Sequence, residues 1–424
     1  MGKKITLNHI AKIEGHAKLN LGIEDGKVNV CELSSVEGSR YFEGIVKGKQ
    51  YFEAHEITSR ICGICSSAHV IAAITAVEHA IGHTPSKQTK ELRKLLTLGE
   101  RIRSHATHLY FLALPDYVGY ESALAMASKY QAELKRALNL IKVGNGIIKV
   151  LAGRDLHPVS ATVGGWLKLP SQKEIDELKK QLEEAKKGAI DTFKLFNSLK
   201  YADFKSDCEW FSLIDDKEYA MLDGNFSSLN STFKKKDYKK FITEYHEPRS
   251  TANFVVKDTH RYIVGALARI NNNHDKLSPD AKKMLKKSKI KIPCVNPYLN
   301  NIAQAIELVH CIDHAIEICS NLKIKPEEIP KIKIKAGRGV GCIEVPRGTL
   351  WHEYIIDKKG IITYCNIITP TAQNLLNCQE DIRTLVPTIL KKKKEKMILD
   401  IEKLIRSYDP CFSCSSHFLE VNWK

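Results

Sequence analysis

The stretch Arg60-Ile61-Cys62-Gly63-Ile64-Cys65-Ser66-Ser67-Ala68-His69 decides the fold, because it holds one of two CxxC pairs in this chain. The second pair lies near the opposite end, in Asp409-Pro410-Cys411-Phe412-Ser413-Cys414-Ser415-Ser416-His417. A zinc ribbon also uses two CxxC units, but it places them only about 15–20 residues apart. Here almost the whole chain separates the pairs, which predicts a buried metal site that joins the two ends.

Four thiolates suit zinc, nickel or an iron–sulfur centre, and the softness of sulfur alone does not separate these metals. The chain has twelve cysteines, and eight of them show no ligand spacing. We interpret those eight as buried thiols in a reducing compartment, because free cysteine packs as a small hydrophobe. They are Cys31, Cys208, Cys294, Cys311, Cys319, Cys342, Cys365 and Cys378.

Composition and charge narrow the class of protein further. The chain has 424 residues, of which 43% are hydrophobic and 27% charged, as in globular proteins of one large or two ordinary domains. The net charge of +16 lies partly in lysine runs at residues 234–236 and 391–394, without the interleaved aromatics of a nucleic-acid site. We interpret these runs as solvated faces or a docking surface for an acidic partner. With no export signal and no apolar stretch of about 18 residues, we expect a cytoplasmic protein without a membrane span.

The periodicity predicts an α+β fold that is predominantly helical, with a large helical core and small N-terminal and peripheral β-sheets. Alternation over residues 4–34 around Glu24-Asp25-Gly26-Lys27 predicts a β-hairpin. Apolar spacing predicts core helices at residues 70–77 and 91–114, and an amphipathic helix at 171–199 with Ser171 as N-cap. Further helices are expected at 300–322 and within 371–408, and strands at 331–335, 342–345 and 360–364.

We expect one continuous domain over residues 1–424. No internal repeat and no Gly/Ser linker divides the chain. Residues 205–260 are aromatic and rich in turns, which predicts a smaller, peripheral α+β insertion on the helical body.

The residues around both CxxC pairs resemble the two motifs of the large, catalytic subunit of NiFe hydrogenases, RxCGxCxxxH and DPCxxCxxH. Every defined position of both motifs matches. Further segments between them also resemble that family, so the likeness spans about residues 5–417. These segments are Ile10-Ala11-Lys12-Ile13-Glu14-Gly15-His16, Arg40-Tyr41-Phe42-Glu43, His157-Pro158, Gly164-Gly165 and Glu344-Val345-Pro346-Arg347-Gly348.

The resemblance implies a nickel–iron centre held by the four motif cysteines. By motif position, Cys62 and Cys411 would be terminal on nickel, whereas Cys65 and Cys414 would bridge nickel to iron. The iron would also carry carbon monoxide and cyanide ligands. A zinc site made from the same thiolates is the alternative that residue types leave open.

The resemblance also implies roles for charged residues near the metals. Glu14 would accept a proton from a terminal thiolate, here Cys411, whereas hairpin position alone indicates a surface carboxylate. Arg347, Asp116 and Asp409 would form a charged canopy over the open face of the metals. Because a guanidinium has five fixed N–H donors, Arg347 could hydrogen-bond a cyanide nitrogen or polarise bound hydrogen. An ordinary ion pair, and for Asp116 a helix-ending turn, are the structural alternatives.

The segment Thr369-Pro370-Thr371-Ala372-Gln373-Asn374 resembles the loop of the cytosolic bidirectional branch of the family. The resemblance assigns a second cyanide to the hydroxyl of Thr371. It places His69 in the cofactor environment, as a hydrogen-bond partner of a ligand sulfur or as a core histidine, and His105 is interpreted in the same way.

A magnesium site is implied as well. Glu43 and His417 would be its ligands, and water would complete an oxygen-rich coordination shell. A solvated helix residue is the alternative for Glu43. Ile367 is also expected among the metal-site residues.

The implied activity is reversible heterolytic cleavage of H2 into protons and electrons. Because the other cysteines show no cluster spacing, the electrons would pass to a separate iron–sulfur small subunit, and further electron-transfer subunits would carry them to a nicotinamide or a deazaflavin. A ferredoxin- or membrane-linked complex is the competing interpretation. The alternatives in function are a hydrogen-sensing or non-turnover subunit of the same fold, and a quinone-binding respiratory subunit, which lacks the four cysteines. Seven residues follow His417, so either maturation factors clip a short tail or no clipping occurs.

Overall fold

The computed structural model describes residues 3–38 and 41–416, which form a mainly helical body with small β-sheets and confirm the predicted fold class. The helices are α1 (Phe42–Val46), α2 (Ala54–Thr58), α3 (Ser66–Ile81), α4 (Lys87–Thr107), α5 (Leu114–Val118), α6 (Gln131–Ala152), α7 (Gln172–Ser198), α8 (Ala266–Asn273), α9 (Pro279–Lys287), α10 (Asn300–Asn321), α11 (Pro370–Ile389), α12 (Lys394–Ser407) and α13 (Phe412–Ser415). The strands are β1 (Lys3–Leu7), β2 (Ala17–Glu24), β3 (Lys27–Ser35), β4 (Ala161–Thr162), β5 (Gly165–Trp166), β6 (Glu209–Trp210), β7 (Ser212–Ile214), β8 (Asn225–Ser227), β9 (Thr232–Phe233), β10 (Ile242–Tyr245), β11 (Phe254–Lys257), β12 (Tyr262–Ile263), β13 (Gly337–Val345), β14 (Gly348–Ile356) and β15 (Ile362–Ile368).

The helical core consists of α4, α6, α7 and α10, which pack against one another. Gly99 of α4 and Gly144 of α6 allow a close crossing, since a Cβ on Gly144 would lie 2.6 Å from the carbonyl oxygen of Gly99. The predicted amphipathic helix is confirmed as α7. Its N-cap, Ser171, accepts a hydrogen bond from the backbone N–H of Glu174, whose carboxylate in turn accepts from the backbone of Ser171.

The antiparallel sheet β13–β14–β15 packs on α3 and links the two regions that carry the functional motifs. Three glycines of β13, Gly337, Gly339 and Gly341, lie against the helix. A Cβ on any of them would come between 2.0 and 2.3 Å from a carbonyl oxygen of α3, so only glycine fits. Because α3 begins directly after Cys65 and β13 leads to Arg347, this packing sets the position of one motif relative to the other.

The N-terminal hairpin is confirmed as β2 and β3, with a turn at Asp25-Gly26, and β1 adds a third strand that we did not predict. The helix predicted at 91–114 is α4 followed by a π-helical turn, His108–Ala113. The helical pattern of 371–408 is two helices, α11 and α12. Helices α6, α8 and α9 and strand β14 were not predicted.

The strand predicted at 331–335 is wrong. Residues 322–336 carry no strand, although Ile332 and Ile334 are half-buried between exposed lysines. The alternation of isoleucine and lysine therefore reflects an extended segment with one face on the protein and no partner strand. The strand predicted at 342–345 lies within β13. The strand predicted at 360–364 overlaps the first part of β15.

Residues 205–260 contain the short strands β6 to β11 and a 3₁₀ turn, Lys235–Lys240. Their status as an insertion on a single domain stays a prediction. Among the residues described, no helix combines the length and the apolar composition needed to cross a bilayer.

Candidate metal centre

The four motif cysteines meet in the interior, with all their Sγ atoms within 4.8 Å of one another. The Sγ of Cys62 lies 3.7 Å from that of Cys411, and the Sγ of Cys65 lies 3.0 Å from that of Cys414. None of the four is more than 6% exposed. Thiolates this close repel one another, so the set can be fully deprotonated only around a cation, and soft cations are the ones that thiolates select. The donor set therefore fits a buried soft metal.

The first CxxC pair lies in the loop that enters α3, and two charged side chains of α4 fasten that loop. Glu100, fully buried, accepts hydrogen bonds from the backbone N–H groups of Ser67 at 2.7 Å and Ala68 at 3.2 Å. Arg103 donates to the carbonyl oxygen of Ile64. Burial raises the pKa of Glu100 to about 7, although Arg103 and the two N–H groups lower it. Glu100 and Arg103 were not predicted from the sequence. The signal that could have identified them is a charged residue at a position of α4 where the pattern is otherwise apolar.

The second pair is fastened from two other elements. The side-chain oxygen of Thr371, in the first turn of α11, accepts a hydrogen bond of 2.8 Å from the backbone N–H of Cys411. The carbonyl oxygen of Glu14 accepts one of 2.8 Å from the N–H of Phe412. The structure thus places Glu14 and Thr371, both predicted as site residues, directly beside the second motif. A hydroxyl also has one donor, so Thr371 can still donate to a ligand.

A small cavity of about 10 Å³ adjoins the cysteines. Its lining includes the predicted residues Cys65, His69, Arg347, Thr371, Cys411 and Cys414, together with apolar side chains. His69, 1% exposed, has its Nδ1 3.1 Å from Nε2 of His352. Sequence reasoning did not find His352, which lies on a central strand and carries no motif. The cavity thus combines an apolar wall with a few polar groups, as small-ligand sites do.

Arg347 is held over this cavity by Asp409. Its Nε donates to the carbonyl oxygen of Asp409 at 2.8 Å and to the carboxylate at 3.1 Å, and Nη2 lies 3.1 Å from the same carboxylate. Burial opposes the cationic form, but Asp409 and the nearby cysteines hold the pKa of Arg347 well above its usual range. Within the described part of the chain, Nη1 is buried and has no hydrogen-bond partner. A buried donor without a partner costs about 1–3 kcal/mol, which suits a site that supplies an acceptor.

Asp116 is buried close by but has other partners. Its carboxylate accepts from Lys12 and from Arg406, and Arg406 also donates to the carbonyl oxygen of Ala11. Sequence reasoning missed Lys12 and Arg406 as its partners. Arg347, which lines the cavity, pairs with Asp409 and not with Asp116, so the place of Asp116 in a canopy stays a prediction.

Glu14 is half-buried. Burial raises the pKa of its carboxyl, the negative charge of Cys62 adds to that rise, and Arg347 opposes it. A carboxyl whose pKa is moved toward neutrality can both accept and release a proton.

Glu43, on α1, and Ile367, on β15, are in direct contact. The carboxylate of Glu43 accepts a 2.7 Å hydrogen bond from the backbone N–H of Ile367. The third predicted member of this group, His417, lies outside the described residues. His105, interpreted as a core histidine, is fully buried and bonded to Glu307 at 2.7 Å.

Comparisons with known proteins show the family of the chain. A family model described as nickel-dependent hydrogenase matches residues 40–146 and 259–417. The alpha chain of sulfhydrogenase 1 from Pyrococcus furiosus is 35% identical, with 98% of each chain covered. The homologous chain of the vhu-type F420-non-reducing hydrogenase from Methanocaldococcus jannaschii is 30% identical, with 92% of this chain and 100% of that one covered. A solved NAD+-reducing NiFe-hydrogenase in the H2-reduced state matches with a TM-score of 0.87 and 26% identity, over 98% of this chain and 99% of that one.

Proposed function

The chain belongs to the nickel-dependent hydrogenase family, as a catalytic large subunit, and we propose that it splits H2 reversibly at a nickel–iron centre held by its four clustered cysteines. One observation carries the proposal. Four buried sulfur atoms from opposite ends of the chain converge beside a cavity lined by Arg347, whose buried Nη1 has no partner among the described residues. When bound, such a centre supplies the Lewis acid and the redox couple for H2 cleavage.

The motif positions support unequal roles for the sulfur atoms. Cys65 and Cys414 would bridge nickel and iron, and their Sγ atoms lie 3.0 Å apart; Cys62 and Cys411 would be terminal on nickel, and theirs lie 3.7 Å apart. The shortest contact, 2.7 Å, joins Cys411 and Cys414. The iron would carry carbon monoxide and cyanide. Nη1 of Arg347 and the hydroxyl of Thr371 are the donors available to the cyanide nitrogen atoms, and His69 lies at the same cavity.

Glu14 would carry the proton that H2 cleavage leaves near Cys411. Its backbone is fixed to the second motif through the N–H of Phe412, and its carboxyl pKa is raised. Asp409 would hold Arg347 in place, and Asp116 would complete the charged surroundings through Arg406. Glu43, Ile367 and His417 would form the magnesium site, a proposal supported by the contact between the first two.

The electrons would leave through an iron–sulfur small subunit. Among the described residues, the four motif cysteines are the one group with metal-binding geometry, so this part of the chain offers no cluster relay of its own. The relatives are named as subunits of sulfhydrogenase and F420-non-reducing hydrogenase, and the solved relative is NAD+-reducing. We propose a cytoplasmic complex in which further electron-transfer subunits pass the electrons to a nicotinamide or a deazaflavin. Maturation factors would assemble the metal centre.

The test is nickel content and infrared absorption of the purified complex. We expect about one nickel per chain and bands from metal-bound carbon monoxide and cyanide, with all of these lost in Cys414→Ser. Cys319→Ser is the matched control, because Cys319 is equally buried but lies outside the cluster, and it should keep nickel and bands. A purified protein that contains no nickel, or that contains zinc in place of nickel, would contradict the proposal. Dye-linked H2 oxidation then separates an enzyme from a sensor, which would turn over feebly.

A further inference from the structure

Another buried arginine, Arg269, is bonded to the hairpin that carries Arg347 and borders the cavity. Arg269, on α8, is fully buried, and its guanidinium has five N–H donors, each with an acceptor. Nε and Nη2 donate to the carboxylate of Glu307 at 2.6 and 2.7 Å. Nη1 donates to Glu344 at 2.9 Å. The two remaining donors go to main-chain oxygens, those of Val345 at 2.8 Å and Pro346 at 2.9 Å.

Those two carbonyl groups lie directly before Arg347. Val345 ends β13 and pairs with Gly348, which begins β14, so Pro346 and Arg347 are the two-residue tip of a hairpin. The φ of Gly348 is +139°, and a Cβ there would lie 2.4 Å from the side chain of Val264, so the tip fits tightly against the start of α8. The backbone directly before Arg347 is therefore bonded to Arg269 at two consecutive carbonyl groups.

We propose that Arg269 is a positioning residue for Arg347: it holds the tip of the hairpin so that Nη1 of Arg347 is directed into the cavity beside the cysteines. Asp409 fixes the guanidinium end of Arg347, and Arg269 fixes its backbone end. Lysine could not replace Arg269 in this role, because an ammonium has three donors and no planar fork.

The carboxylates around Arg269 are arranged to keep it in place. Glu307 also accepts from the hydroxyl of Tyr219 at 2.6 Å and faces His105 at 2.7 Å, and the other oxygen of Glu344 accepts from the backbone N–H of Leu213 at 2.7 Å. Burial would raise the pKa of Glu307, but Arg269 holds it well below its usual range. Every N–H of Arg269 and every carboxylate oxygen of Glu307 and Glu344 is thus bonded, and these three side chains lie outside the lining of the cavity.

The test compares two variants of the same cluster in the purified complex. Arg269→Lys leaves three donors for five acceptor positions and no planar fork, so it cannot hold both carboxylates and both hairpin carbonyl groups. Tyr219→Phe, the matched control, removes one bond to Glu307 and leaves the hairpin bonds in place. For Arg269→Lys we expect wild-type nickel content, displaced cyanide bands, faster amide hydrogen exchange at residues 347–349, and turnover lower by about 10- to 100-fold. Tyr219→Phe should leave the bands and the exchange rates of those residues unchanged.

The infrared arm rests on the proposed nickel–iron function, and the two proposals fail differently. A wild-type complex without cyanide bands would defeat the proposed function, and hydrogen exchange at the hairpin would still test the positioning role. Cyanide bands that stay in place in Arg269→Lys, with unchanged exchange at 347–349, would overturn the inference, as would equal effects in Tyr219→Phe. If Arg269→Lys does not yield folded protein, Glu344→Gln removes one partner of Arg269 and should cause a smaller shift of the same bands. No shift in that variant would also overturn it.

Discussion

Two buried arginines differ in how they are bonded: Arg347 lies in the tip of the β13–β14 hairpin, and Arg269, on α8, bonds the backbone of that tip. All five donors of Arg269 have acceptors within the protein. Arg347 has acceptors for Nε and Nη2, while its Nη1 has none in the described part of the chain. A buried donor is costly without a partner, so the first arrangement supports structure and the second is suited to a ligand. Among the described residues, Arg347 thus keeps one unbonded donor on a side chain that lines the cavity, whereas Arg269 keeps none.

Replacing Arg347 should give the largest effect. In Arg347→Lys the positive charge stays but the directed N–H is lost, and we expect H2 oxidation to fall by about 100- to 1000-fold, the usual cost of removing one preorganised donor. Nickel content should stay at the wild-type level. Arg338→Lys, at the far end of the strand that leads to Arg347, is the control, since its partly exposed side chain pairs with Glu353 away from the cavity. Activity within tenfold of wild type in Arg347→Lys would contradict a ligand role for the open donor.

Replacing Glu14 tests the proposed path of the proton away from the cysteines. In Glu14→Gln the carboxyl can no longer take a proton, so exchange between H2 and deuterated water should slow by about 100-fold while nickel stays bound. Glu24→Gln, at the exposed end of β2, should exchange at the wild-type rate. Unchanged exchange in Glu14→Gln would remove this residue from the proton path.

The cluster around Arg269 includes His105, and burial of this histidine should make the stability of the protein depend on pH. Burial lowers the pKa of His105 from 6.5 to about 4, although Glu307 raises it. Between those values the unfolded chain binds more protons than the folded one, so stability should fall as the pH falls from about 6.5 to 4. His105→Gln should reduce that decline by on the order of 2 kcal/mol, measured by denaturant unfolding, whereas exposed His260→Gln should not. An equal decline in wild type and His105→Gln would show that this histidine is not buried as described.

Thr371 should give the smallest effect. Thr371→Val removes the acceptor for the N–H of Cys411 and one donor at the cavity, with a loss of about 1 kcal/mol, or roughly fivefold in turnover. One cyanide band should shift and the other should stay. Thr384→Val, on the exposed side of the same helix, is the control. A spectrum identical to wild type would leave Thr371 with a purely structural bond to Cys411.

The sequence predicted the parts of the site that lie in short motifs. The convergence of Cys62, Cys65, Cys411 and Cys414 followed from two CxxC pairs. Glu14 and Thr371 lie beside the second pair, and the roles assigned to them stay predictions. The supporting residues were missed, because their bonds join positions far apart in the chain. Arg269 and Glu307 belong to two separate helices, and neither follows a spacing rule.

The fold shows the same division. Long periodic segments such as α3, α7 and α10 were predicted, since local spacing decides them. Residues 331–335 alternate as a strand does, but a strand also needs a neighbour to share its hydrogen bonds, and local sequence does not contain that information. The glycines of β13 were not interpreted at all, because their purpose is visible only against the backbone of α3.

The most direct measurement is a structure of the metal-loaded complex at a resolution that shows the diatomic ligands. We expect Nη1 of Arg347 to lie about 3 Å from the nitrogen of a cyanide ligand, the distance of an N–H donor to its acceptor. The bonds from Arg269 to the carbonyl groups of Val345 and Pro346 should be intact in the same structure. A guanidinium turned away from the metals, with Nη1 bonded to a protein group instead, would contradict the role assigned to the open donor.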